Sequence, residues 1–114
     1  MARIRTIKPS FWGDDDVNKL SRDARLLLVG LISFADDDGR FIATPQAVAG
    51  YVFPHDDIPS NKIRKWLAEI ASTATLRLYS VDGRQYGVLP KYREHQRISH
   101  PQASPLPAPD AEEF

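Results

Sequence analysis

Apolar positions recur at helical spacing in three stretches of the chain and run together or alternate in three shorter ones. Ile63, Trp66, Leu67 and Ile70 give one apolar face to a helix that Ser60 is expected to cap. Asn61, Lys62, Arg64, Lys65 and Ala68 fall outside that stripe and leave a short, mainly positive outer surface. Further upstream, Ser21 is a good cap for a helix from Arg22 to about Ala35, with Asp23 in the first turn, where the helix dipole favours an acid. Leu26, Leu27, Val29, Gly30, Leu31 and Phe34 make this helix apolar around much of its circumference, as befits a central scaffold. Thr44-Pro45 opens a third helix to about Val52, with Ala47, Val48, Tyr51 and Val52 turned inward. Leu76-Arg77-Leu78-Tyr79 and Tyr86-Gly87-Val88-Leu89 read as strands around a tight Asp82-Gly83 turn. Arg40 to Ala43 reads as a short strand that would pair with this hairpin in a three-stranded sheet.

Between these elements the pattern breaks. Residues 1–20 are irregular apart from a helical turn over Asp15 to Leu20, and Phe11 and Trp12 are expected to cap the core. Asp36-Asp37-Asp38-Gly39 is read as a helix end and a glycine turn. It resembles part of a calcium loop but lacks the alternating ligands and the closing glutamate. The connection from Phe53 to Pro59 is longer than the turn of a minimal helix-turn-helix, and Lys91 to Ile98 is basic with one aromatic residue. From Ser99 onward, Pro101, Pro105, Pro107 and Pro109 occur with small residues and terminal acids. That composition predicts one domain over 1–98 and a disordered, proline-rich acidic tail or linker over 99–114. The predicted class is α+β: a winged helix-turn-helix of three main helices and a small antiparallel β-sheet whose hairpin is the wing. Such an arrangement usually meets nucleic acid.

Composition narrows the setting. A chain of 114 residues without cysteine excludes disulfides and thiolate metal sites and suits a reducing cytosol. The longest apolar run, Leu26 to Ile32, falls far short of the ~18–20 residues of a membrane span. Arg3, Arg5 and Lys8 have no apolar stretch behind them, so the start is not read as a secretory signal. A cytoplasmic protein with no membrane partner is expected.

Net charge is zero, which by itself argues against nucleic acid. Its distribution changes the picture. Residues 10–59 carry four cations against nine acids, whereas residues 60–100 carry eight against three. The first nine residues add three cations and no acid. The positive excess therefore falls on the basic helix, the hairpin and the segment after it.

Enzyme chemistry finds little support. His55, His95 and His100 lack cysteine partners and zinc-site spacing, and there is no glycine-rich phosphate loop or nucleophile elbow. No catalytic residue, metal or cofactor is expected. The nucleic-acid reading uses the helix from Asn61, capped by Ser60, laid across the major groove with its N-terminal half nearest the bases. Asn61 can read adenine and Arg64 guanine, while Lys62 and Lys65 suit phosphates. The wing would add Arg84, with Arg77 or Lys91, to a flanking phosphate or the minor groove, and Arg93 and Arg97 are counted among the DNA-binding residues. Arg3, Arg5 and Lys8 would form a basic arm entering a neighbouring groove. The expected partner is double-stranded DNA. A homodimer through the first helix or the arm is compatible with the pattern, as is a replication or host protein partner. The competing reading is a protein-interaction module working through its acidic clusters, Asp14–Asp16, Asp36–Asp38 and Asp56–Asp57.

Several segments also carry a resemblance. They are Ala2-Arg3-Ile4-Arg5-Thr6-Ile7-Lys8-Pro9-Ser10-Phe11-Trp12, Leu20-Ser21-Arg22-Asp23-Ala24-Arg25-Leu26-Leu27, Phe34-Ala35-Asp36-Asp37-Asp38-Gly39-Arg40, Val52-Phe53-Pro54, Tyr79-Ser80-Val81-Asp82-Gly83-Arg84-Gln85-Tyr86 and His95-Gln96-Arg97-Ile98. Together, over roughly residues 2–101, the chain resembles the N-terminal winged-helix domain of bacteriophage and prophage helix-turn-helix proteins, often labelled replication-initiation or replisome-organiser-like. The resemblance implies a DNA-binding phage protein in replication or transcriptional control, placed in the host bacterial cytoplasm. Ala74 departs from it, standing where such proteins usually have a glycine at the end of the recognition helix. The downstream replication or partner-binding domain of such proteins is not expected in this chain.

Overall fold

The computed structural model describes residues 4–109. A 3₁₀ turn, Pro9–Gly13, leads into α1 (Asp15–Asn18) and the scaffold helix α2 (Arg22–Phe34). There follow β1 (Arg40–Ile42), α3 (Pro45–Val52), α4 (Ser60–Ala71), β2 (Arg77–Val81), β3 (Arg84–Val88) and the short α5 (Tyr92–His95). The architecture is α+β with one three-stranded antiparallel sheet in the order β1-β3-β2.

Local chemistry accounts for most of the boundaries. Ser21 accepts from the Ala24 amide at the start of α2, and Thr44 accepts from the Ala47 amide ahead of Pro45. Asp82 and Gly83 both take positive φ, 51° and 79°, the left-handed pair that a two-residue hairpin turn needs. Ser60 is a correction: it is the first residue of α4 and caps nothing with its side chain. Pro59 occupies the capping position in its place, because its carbonyl already accepts from the Lys62 and Ile63 amides.

The core lies between the helices and one face of the sheet. Ala24, Leu27, Leu28 and Leu31 of α2 meet Val48 of α3, Ile63, Leu67 and Ile70 of α4, and Phe41, Leu76, Leu89 and Tyr92. Phe41 lies flat against β3 because its register partner is Gly87; a Cβ there would stand 2.3 Å from the Phe41 ring. Tyr51 and Val52 turn inward and pack against the core, and like Ala47 they are half-buried. Phe11 packs against the core as expected, whereas Trp12 is 58% exposed and meets Phe11 edge-on. The two are neighbours within the 3₁₀ turn, which points Phe11 at the core and leaves Trp12 outside.

The proline-rich segment differs most from expectation. Residues 99–109 lie against the domain: the amides of Gln102 and Ser104 donate to Asp37 and Asp38, each at 2.9 Å. Downstream, Leu106 packs on Tyr79, Tyr86 and Val88 on the far side of the sheet. Tyr79, Tyr86 and Val88 alternate onto that far face, and Leu106 covers the apolar surface they make there.

Candidate nucleic-acid interface

α4 is held by its apolar stripe. Ile63 and Ile70 are fully buried, Leu67 nearly so, and Trp66 tilts against Phe53 with ring centroids 5.9 Å apart. Its only acid, Glu69, turns back to the start of α2, where it accepts from the backbone amide of Ser21 and, at 3.0 Å, from the Ser21 hydroxyl. A carboxylate there also faces the positive end of α2. The helix is thereby left with no acid on its outward side. Ser60, Asn61, Lys62, Arg64 and Lys65 are all exposed there. Among the described residues, the side chains of Lys62, Arg64 and Lys65 make no ion pair or hydrogen bond. They form a compact unneutralised patch on a rigid element, next to amides at the helix N-terminus that already favour an anion.

The end of α4 explains how Ala74 is tolerated. The Ser72 hydroxyl donates to the Glu69 carbonyl and the Thr73 hydroxyl to the Ile70 carbonyl, both at 2.6 Å. These bonds satisfy the last carbonyls, and Ala74 keeps a negative φ, so no left-handed glycine is required.

The remaining expected contacts scatter. Arg84 is exposed beside the hairpin turn, and Lys91 and Arg97 are exposed around α5. Arg3 lies outside the described residues, as do Asp110, Glu112 and Glu113. Arg5 is a correction. Its side chain is 4% exposed and pairs with Asp37 at 2.9 Å, donates to the Ala35 carbonyl and sits 5.3 Å over the Tyr92 ring. No free arm runs through this segment: the Thr6 amide donates to the Gln96 carboxamide oxygen, and the Gln96 amide group returns a bond to the Thr6 carbonyl, both at 2.9 Å. Lys8 is exposed, its ammonium 3.4 Å from the Glu94 carbonyl. Arg93 is half-exposed and pairs with Asp38 at 2.7 Å.

These pairs converge on the acidic turn, which the sequence offered as a helix end and glycine turn or as part of an acidic face. Asp36 accepts from the amides of Asp38 and Arg40 and from the Ser104 hydroxyl. Asp37 takes Arg5 and the Gln102 amide; Asp38 takes Arg93 and the Ser104 amide. The turn is a clasp that gathers the N-terminal segment, α5 and the tail. Beside it, burial pushes the Tyr92 hydroxyl up to about 12, with Arg5 opposing and Asp37 and Asp36 reinforcing the shift. That hydroxyl donates to the Ile32 carbonyl at 2.6 Å. Burial also raises Tyr79, opposed by Arg40, and Tyr51.

Among the described residues no three His, Cys, Asp or Glu side chains come together as metal ligands, and no helix is long and apolar enough to cross a membrane. No family model matches the chain, and no curated protein or solved structure is significantly similar to it.

Proposed function

We propose that this chain is a phage-type winged helix-turn-helix protein that binds double-stranded DNA sequence-specifically, in replication initiation or transcriptional control. The observation that carries the reading is the outward side of α4, where Asn61, Lys62, Arg64 and Lys65 stand exposed and unpaired while the one acid of the helix is engaged elsewhere. The order α2-β1-α3-α4-β2-β3, with β3 between β1 and β2, supports it as the sequence of elements a winged helix uses. In this reading α4 enters the major groove: Arg64 is matched to guanine and Asn61 to adenine, with Lys62 and Lys65 on phosphates. Arg84 of the wing, with Lys91 and Arg97, adds flanking phosphate contacts. Arg5 and Arg93 are not among the contacts, since both are committed to the acidic turn.

The acidic alternative loses its central cluster, because all three carboxylates of Asp36–Asp38 are occupied within the chain. Selection of bound sequences from a random duplex pool at physiological salt tests the proposal. An enriched motif is expected, with log affinity falling against log salt at a slope of about −4 to −5 for the release of four to six counterions. Absence of enrichment together with binding no tighter than ~10⁻⁴–10⁻⁶ M would sink it.

A further inference from the structure

The outer face of the sheet is a second surface with chemistry of its own. Register places Arg77, Tyr79 and Val81 of β2 on the face opposite Phe41, together with Arg84, Tyr86 and Val88 of β3 and Arg40 and Ile42 of β1. Tyr79 and Tyr86 face each other across the strands with rings stacked at 5.7 Å, and with Val88 they form an apolar cluster separate from the main core.

The tail is held over this cluster by one side chain and two carbonyls. Leu106 packs onto the cluster; the Tyr79 hydroxyl donates to the Pro107 carbonyl at 2.7 Å, and the Arg40 guanidinium donates to the Leu106 carbonyl at 2.8 Å. Pro105, Pro107 and Pro109 have no amide hydrogen, so this stretch cannot join the sheet as an ordinary strand. It offers acceptors, ring surfaces and one leucine. The face answers with two donors and an aromatic platform, which is the chemistry by which proline-rich segments are recognised. Because both polar contacts go to backbone carbonyls, they do not depend on which residues supply them.

We propose that the outer face of the sheet is a binding site for a proline-rich segment of a partner protein, occupied in cis by residues 104–109 of this chain. The inference stands independently of DNA binding. Anchoring of the tail at Ser104, beside Asp36 and Asp38, provides the point of release. A tethered segment competes at an effective concentration in the millimolar range, so a partner gains access only when the tail lets go.

The test uses the full chain with Ser104→Glu and Leu106→Asp, which set new carboxylates against the acidic turn and the apolar cluster. A synthetic peptide copying residues 101–109 is the probe, titrated by calorimetry. The released variant should keep its far-UV circular dichroism and bind the peptide at least tenfold more tightly than the wild-type chain. Adding Tyr79→Phe should weaken that binding about fivefold. Should the double variant unfold, Ser104→Glu alone is titrated in its place, with the same expectations. A folded, released variant that ignores the peptide would overturn the proposal, and so would indifference to Tyr79→Phe. Two further results would also overturn it: preference of the released face for a single-stranded oligonucleotide, or concentration-dependent pairing of the wild-type chain through exchanged tails.

Discussion

Arginines serve both the outer side of α4 and the clasp at Asp36–Asp38, yet the two regions share little beyond that side chain. Arg5 is enclosed, paired with Asp37 and laid over Tyr92; Arg64 is exposed and meets no partner among the described residues. In the clasp, charge is consumed in joining segments 30 and more residues apart. On α4 it is left over. The difference teaches that a count of cations along a sequence overstates the charge a partner can meet. Arg5 looked as available in the sequence as the cations of α4, and burial separates it from them.

The comparison can be broken most severely at Arg5. Arg5→Ala removes the guanidinium that pairs with the enclosed Asp37 carboxylate, a loss of about 3–5 kcal/mol by chemical denaturation. Duplex affinity of the folded protein should hold, and a parallel fall in affinity would return Arg5 to the interface. The reverse pattern is expected on α4. Arg64→Glu with Lys65→Glu should lower duplex affinity on the order of a hundredfold at physiological salt, while stability moves by no more than about 0.5 kcal/mol. Unchanged duplex binding would remove α4 from the interface.

Two smaller effects sharpen the clasp. The Tyr92 hydroxyl titrates at about 12 in the fold against an ordinary value of 10.0. Its protonated form is therefore favoured by folding, so its contribution is complete below pH 10.0 and lost as pH rises towards about 12. Thermal melts over that window should show an alkaline decline that Tyr92→Phe reduces, at a cost near neutrality of ~1 kcal/mol for the bond to Ile32. Smallest of all, Arg93→Ala breaks a half-exposed pair and should cost only about 0.2–1 kcal/mol. A loss as large as that of Arg5→Ala would mean that exposure does not separate the two pairs.

What was legible in the sequence was local. Thr44-Pro45 and Val52 bound α3 as expected, and the Asp82-Gly83 turn and the pairing of β1 with the hairpin appear where periodicity and turn chemistry placed them. The outward residues of α4 followed from helical spacing alone. Ser60 was misplaced by one position because serine is a common cap, and the deciding feature was the Pro59 carbonyl. The clasp was hidden for another reason: Arg5, Arg93 and Ser104 find their acids only once the chain has folded, and no spacing encodes that. The tail was hidden by its own composition. Prolines and small residues predict no regular element, and docking through carbonyls leaves no mark on side-chain patterning.

The bond between Glu69 and Ser21 has a consequence for the entropy of docking. It ties the C-terminal part of α4 to the cap of the scaffold helix and adds to the buried Ile63, Leu67 and Ile70, so the rotation of α4 about its own axis is fixed before anything arrives. A partner meeting that surface has no backbone to order. The freedom lost on contact is confined to the Asn61, Lys62, Arg64 and Lys65 side chains, at about 0.5–1.5 kcal/mol for each long one immobilised.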